Sequence, residues 1–304
     1  MSEPRYTINF TLKPKEPFTV FVLEIGGFLP LCFTGAKLIV VDRNILSNAS
    51  NITNGGRHKD NKANAWWFNF LNSPNFLLNP ALGALEGANQ KVPTYDEFCF
   101  EFNKGKEILI KAFPNAKVIE YSDIHYQAGY ELVKEATYSY EYDLNFLLEA
   151  IPLIVTRNAA KKLQQVESKI FSIAKRCGLV RPTFALIACL SCLYESGKEK
   201  IPSIGRQILK PKKDYNSNMA HNALMDLCAL NLLIQANAKL NVKIGLCTAD
   251  KGLLRYWCAL KIKPNGESIG AGFNFSMEFL PEMFELINSH EILALKKRVE
   301  AYDF

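Results

Sequence analysis

Two apolar runs that each end at an aspartate constrain this chain most. Lys37-Leu38-Ile39-Val40-Val41 leads into Asp42, and Val242-Lys243-Ile244-Gly245-Leu246-Cys247-Thr248-Ala249 leads into Asp250. Short continuous runs of branched apolar residues read as strands buried on both faces, the pattern of a parallel sheet under helices. In open α/β sheets, ligands gather at the carboxyl ends of such strands. The expected fold is therefore α/β, a mostly parallel central sheet flanked by helices. Residues 1–304 are read as a single domain, with a mainly helical insertion at about 95–215.

Local signals fill in the rest. Residues 6–23 read as one or two strands, 47–64 as a polar loop, and Ala65–Leu71 as the start of an aromatic helix. Asn79-Pro80 opens a helix that Gly87 ends, directly after Glu86. Thr94 and Glu97 have capping-box spacing for a helix to about Phe113. Lys117–Tyr121 reads as a short strand, residues 126–178 as helices, and Thr183–Tyr194 as an apolar helix. Gly205–Lys213 reads as a basic loop. Asn218 or Ser217 caps a helix over Met219–Ala238, and residues 251–259 and 276–300 are helical.

Asn222 and Asp226 are four apart on that long helix and so share a face. A carboxylate among Leu224, Leu227, Cys228 and Leu230 is costly unless compensated. Two readings stand, an acid bonded to its surroundings, His221 among them, or a metal ligand. Asp250 likewise reads as the cap of the next helix, as a ligand, or as both, and Thr248 as a support for its carboxylate or for a water. Glu86 is the fourth acid. Carboxylates that converge repel one another unless a cation joins them, and an all-oxygen set selects Mg²⁺ or Mn²⁺. The net charge of +6 favours an anionic partner.

The segments Val40-Val41-Asp42-Arg43-Asn44, Asn222-Ala223-Leu224-Met225-Asp226-Leu227 and Leu246-Cys247-Thr248-Ala249-Asp250 resemble the PIN-domain nucleases. The resemblance implies a metal-dependent endonuclease, RNA favoured over DNA. Asp42, Glu86, Asp226 and Asp250 would be the catalytic, metal-holding acids, supported by Asn44, Asn222 and Thr248. It also implies a large variant of the kind found in bacterial toxins and antiviral defence, with an inhibitory or activating protein partner or an oligomeric state open. The nucleic-acid-binding candidates are Arg43, Arg57, Lys59, Lys62, Lys210, Lys212, Lys213 and Lys251. Arg57, Lys59 and Lys62 precede Trp66-Trp67, read either as stacking surfaces or as core.

Other chemistries find less footing. A dehalogenase-like phosphatase needs a second Asp where Asn44 stands, and neither a P-loop nor a well-placed dinucleotide fingerprint occurs. A catalytically inactive RNA-binding or assembly module is the rival from another class. The eight cysteines sit mostly in apolar segments, Cys189 and Cys192 inside one apolar helix, which predicts free buried thiols in a reducing cytoplasm. No membrane span is expected.

Overall fold

The computed structural model describes residues 18–55, 63–87, 90–180, 182–198, 201–240, 242–264 and 275–301. A hairpin of β1 (Phe21–Glu24) and β2 (Gly27–Pro30) precedes β3 (Leu38–Val41), α1 (Arg43–Thr53) and α2 (Ala63–Leu71). Next come β4 (Leu77–Asn79), α3 (Ala81–Glu86), α4 (Tyr95–Ala112) and β5 (Lys117–Val118). Five helices follow, α5 (Asp123–Ala136), α6 (Tyr140–Ala150), α7 (Leu163–Arg176), α8 (Phe184–Leu193) and α9 (Ile204–Leu209). The chain continues with α10 (Ser217–Lys239), β6 (Ile244–Thr248), α11 (Lys251–Leu260) and α12 (Ser289–Glu300). A small antiparallel pair, β7 (Lys263–Pro264) and β8 (Phe275–Ser276), lies between α11 and α12.

The six-stranded sheet has the order β2-β1-β6-β3-β4-β5. β6, β3, β4 and β5 are parallel, whereas β1 runs antiparallel to both β2 and β6. The sheet is thus mixed: four of its strands are parallel, and the hairpin that turns at Gly26, where φ is +93°, adds β1 and β2 as an antiparallel edge beside β6. The interior strands are buried on both faces. Ile39, Val41 and Cys247 pack under α1 and α2 with Ile45, Ala49, Trp67 and Leu71. Val40, Ile244 and Leu246 point the other way, into the core shared with α3 and α10. This alternation is the two-residue period of a pleated strand. Gly245 is needed where β6 meets β1, because a Cβ there would stand 2.3 Å from Val22 Cγ1.

Several boundaries differ from those read in the sequence. Residues 47–53 are helix rather than loop: Ile45, Leu46, Ala49 and Ile52 form an apolar stripe against the sheet, and the Ser and Asn residues are only its outer face. Within the expected basic loop, Ile204–Leu209 is helical, its first turn held by Ser203 accepting from the Arg206 amide. The cap of α10 is Asn216, one or two residues ahead of the expected ones, since its side chain reaches the Met219 amide. α-Helix over 276–300 is confined to α12, which starts at an Asn288–Glu291 capping box after a short 3-10 turn at Pro281–Met283. The strand β4 was not foreseen. The Thr94–Glu97 capping box and the left-handed Gly87 occur as expected. Residues 95–215 are largely helical but also supply β5 to the sheet, and α5, α6, α8 and α9 pack on α10 in one continuous core.

Candidate acidic site at the sheet edge

The chain runs from β3 outward through β4 to β5 and later returns to place β6 on the other side of β3. The carboxyl ends of β3 and β6 therefore flank a topological switch point, where open α/β sheets form their crevice. Val41 pairs with Cys247, so Asp42 lies beside Thr248. The Thr248 hydroxyl donates to Asp42 Oδ2 at 2.7 Å and accepts from the Asp250 amide at 3.0 Å. Thr248 thus supports the Asp42 carboxylate and the Asp250 backbone, not the Asp250 carboxylate. Asp250 caps α11, its Oδ1 accepting from the Leu253 amide at 2.9 Å.

Glu86 ends α3, and Arg43, the first residue of α1, holds it at 3.3 Å while also donating to the Gly87 carbonyl at 3.2 Å. Asp226 projects from the third turn of α10. Among the described residues no hydrogen bond or ion pair reaches its carboxylate. The sequence alternative of an Asp226–His221 bond is not what forms, because His221 Nδ1 pairs with the Tyr140 hydroxyl at 2.7 Å. Tyr140 and His221 buttress the floor next to the Glu86 backbone. Their pairing is not legible in the sequence because 81 positions separate them.

Electrostatics tie the four acids together. Burial raises the Asp42 carboxyl above its usual range, opposed by Thr248 and reinforced by the charge of Asp250. Burial pushes Glu86 to about 7, with the charge of Asp42 adding to the rise and Arg43 opposing it. Asp226 is raised well above the ordinary carboxylate range by burial, then by Asp250, Asp42 and Glu86, with Lys210 the opposing cation. Burial in the crevice is the leading cause in each case, and repulsion between neighbouring acids adds to it.

The supporting and basic candidates divide. Asn44 reaches Asp42 Oδ2 only at 3.5 Å, the limit of a hydrogen bond. Asn222 is exposed and, among the described residues, makes no hydrogen bond to an acid. Lys210 sits beside Asp226 in a left-handed conformation, φ +48°, at the end of α9. Lys251 and Lys213 are exposed, and Lys212 pairs with Asp214. Arg57, Lys59 and Lys62 lie outside the described residues. Trp67 is core, while Trp66 is 42% exposed and stacks on Phe70. Cys189 and Cys192 are buried free thiols inside α8.

The donor set, four carboxylates with Arg43 and Lys210 as nearby cations, has the chemistry of a hard divalent-ion site. As the side chains stand, no group of three or more His, Cys, Asp or Glu among the described residues is arranged to hold an ion. Among those residues, too, no helix is long and apolar enough to cross a membrane. No protein-family model matches the chain, and no curated protein or solved structure matches it significantly.

Proposed function

We propose that this protein is a PIN-like, divalent-metal-dependent nuclease acting on RNA in preference to DNA. Asp42, Glu86, Asp226 and Asp250 would be the carboxylates that hold Mg²⁺ or Mn²⁺. The observation that carries this reading is the approach of four acids from four separated elements at the switch point of the sheet, where the charges of neighbouring acids add to the rise that burial gives Asp42, Glu86 and Asp226. A divalent cation would relieve the repulsion among these acids. On this reading much of 95–215 is the insertion of a large family variant. The preference for RNA rests on the sequence resemblance.

A bound divalent ion supplies a more acidic water and offsets charge on the phosphate. The chain's own residues set the geometry. Thr248 fixes the orientation of Asp42, the capping bond fixes Asp250, and Arg43 holds Glu86. Arg43, Lys210 and Lys251 present positive charge to a phosphate approaching the crevice. Attack by water leaves a 5′-phosphate and a 3′-hydroxyl.

One observation favours a second reading, a catalytically silent RNA-binding module: no three of the acids are closed upon a common point. Incubating purified protein with single-stranded RNA and DNA in Mg²⁺, Mn²⁺ or EDTA separates the two. The nuclease reading expects cutting of RNA with either ion, none in EDTA, and loss in Asp42→Asn and Asp250→Asn. Binding without cutting under every condition would leave the silent module.

A further inference from the structure

We infer that the cleft between α1 and α4 is a track for the backbone of a polynucleotide strand, leading into the acidic site. The choice of ligand rests on the nuclease reading. Two adjoining clefts, of about 280 Å³ and 260 Å³, follow these helices and share Ser50, Lys104 and Ile108. Arg43 lines the first, so the residue that grips Glu86 also opens the track.

The sequence builds two facing stripes. On α1 and its C-cap, Arg43, Ser47, Asn51 and Asn54 recur at helical spacing and line the clefts. α1 carries no acidic residue, and Arg43 is its only charge. A solvent-facing helix is ordinarily dressed in charges of both signs. A face of hydroxyls and amides with one arginine suits hydrogen bonds to phosphate and sugar oxygens. On α4, Glu101, Lys104, Ile108 and Lys111 recur at the matching interval.

The lining carries a small excess of positive charge. Glu101 is held by Lys104 at 3.5 Å, and Lys111 is oriented by Asn54 Oδ1 at 3.1 Å. Glu107 is the other acid of the lining, against the three cations Arg43, Lys104 and Lys111. The glycine Gly105 lets α4 close on the Pro80 turn that starts α3, since a Cβ there would stand 2.7 Å from Pro80 Cβ. This holds the stripe of α4 level with that of α1. The eleven residues of α1 extend roughly 16 Å, so an elongated chain rather than a compact metabolite fits the end-to-end clefts.

The test is fluorescence anisotropy of a labelled single-stranded RNA of about 15 nucleotides in EDTA, where no cutting intervenes. The double variant Lys104→Ala with Lys111→Ala is expected to bind about tenfold more weakly and to lower the salt slope by about 1.4, the loss of two phosphate contacts. The pair Lys161→Ala with Lys169→Ala, ahead of and within α7, removes equal charge elsewhere and should leave binding within about twofold. An unchanged affinity in the first double variant, equal losses in both, or no binding by the wild type would overturn the track. Cutting assayed in parallel with Mn²⁺ judges the nuclease reading separately. If the wild type fails to cut while binding falls only in the α4 variant, the catalytic reading fails and the track stands.

Discussion

Thr248 and Asp42 lie 206 positions apart, yet the buried hydroxyl of one donates to the carboxylate of the other at 2.7 Å. The same hydroxyl accepts from the Asp250 amide, so one side chain couples the carboxyl ends of both central strands. Thr248→Val keeps the shape and removes both bonds. It should cost about 1–3 kcal/mol, because an acidic acceptor and a backbone donor lose their partner in a buried place. Urea unfolding of Val and Ser variants measures this. Ser should retain most of the stability, and an equal loss in both would mean the methyl group matters rather than the hydroxyl.

Asp226 is raised by burial and by three like charges. In metal-free protein near pH 8, Asp226→Asn should therefore raise stability by more than the roughly 0.5 kcal/mol of an ordinary surface change. An acid retained for structure would behave in the opposite way. Thermal melts in EDTA decide between them, and lower stability in the Asn variant would count against the account.

The pH dependence has a definite sign. Glu86 is pushed from 4.5 to about 7 in the folded protein. A raised folded-state pKa means that the associated stability is present below the unfolded value and is lost as pH climbs through the folded one. Metal-free protein should thus weaken between about pH 4.5 and 7, by about 3 kcal/mol from Glu86 as an upper figure. Asp42 and Asp226 act in the same direction. Added Mn²⁺ binds the ionised carboxylates, so its stabilising shift should grow over that range. Unfolding free energies with and without Mn²⁺ across pH would show it, and a metal-free protein that gains stability on the way to neutrality would contradict it.

Arg43 bridges α1 to both the Glu86 carboxylate and the Gly87 carbonyl. Arg43→Gln should push the Glu86 pKa higher still, since the cation that opposes the rise is removed. The carboxyl resonance followed by NMR through pH reports this directly. An unchanged Glu86 pKa would mean that Arg43 and Glu86 do not interact in solution.

The sequence disclosed Asp42 and Asp250 because each follows a mainly apolar run, and the sheet is what makes such runs meaningful. The Thr94 capping box and Gly87 were readable because their chemistry is local. Asp226 was visible as an acid out of place among leucines. What the sequence hid is what depends on distant partners. The hydroxyl of Thr248 could be assigned to Asp42 only once β3 and β6 were neighbours, and His221 to Tyr140 only once α6 lay on α10. The outer face of α1 read as a loop because Ser47, Asn48, Ser50 and Asn51 are all polar turn formers, while the stripe beneath them has only four apolar residues. The antiparallel β1 could not be seen, since a short apolar run carries no strand direction.

Calorimetric titration of Mn²⁺ into wild-type protein and Asp226→Asn at about pH 7.5 tests the central claim most directly, because it asks whether the four acids form a metal centre apart from any substrate. Binding of one or two ions by the wild type, with affinity lowered at least about tenfold in the variant, is the predicted result. Absence of binding by folded wild-type protein, or equal binding by both, would contradict it.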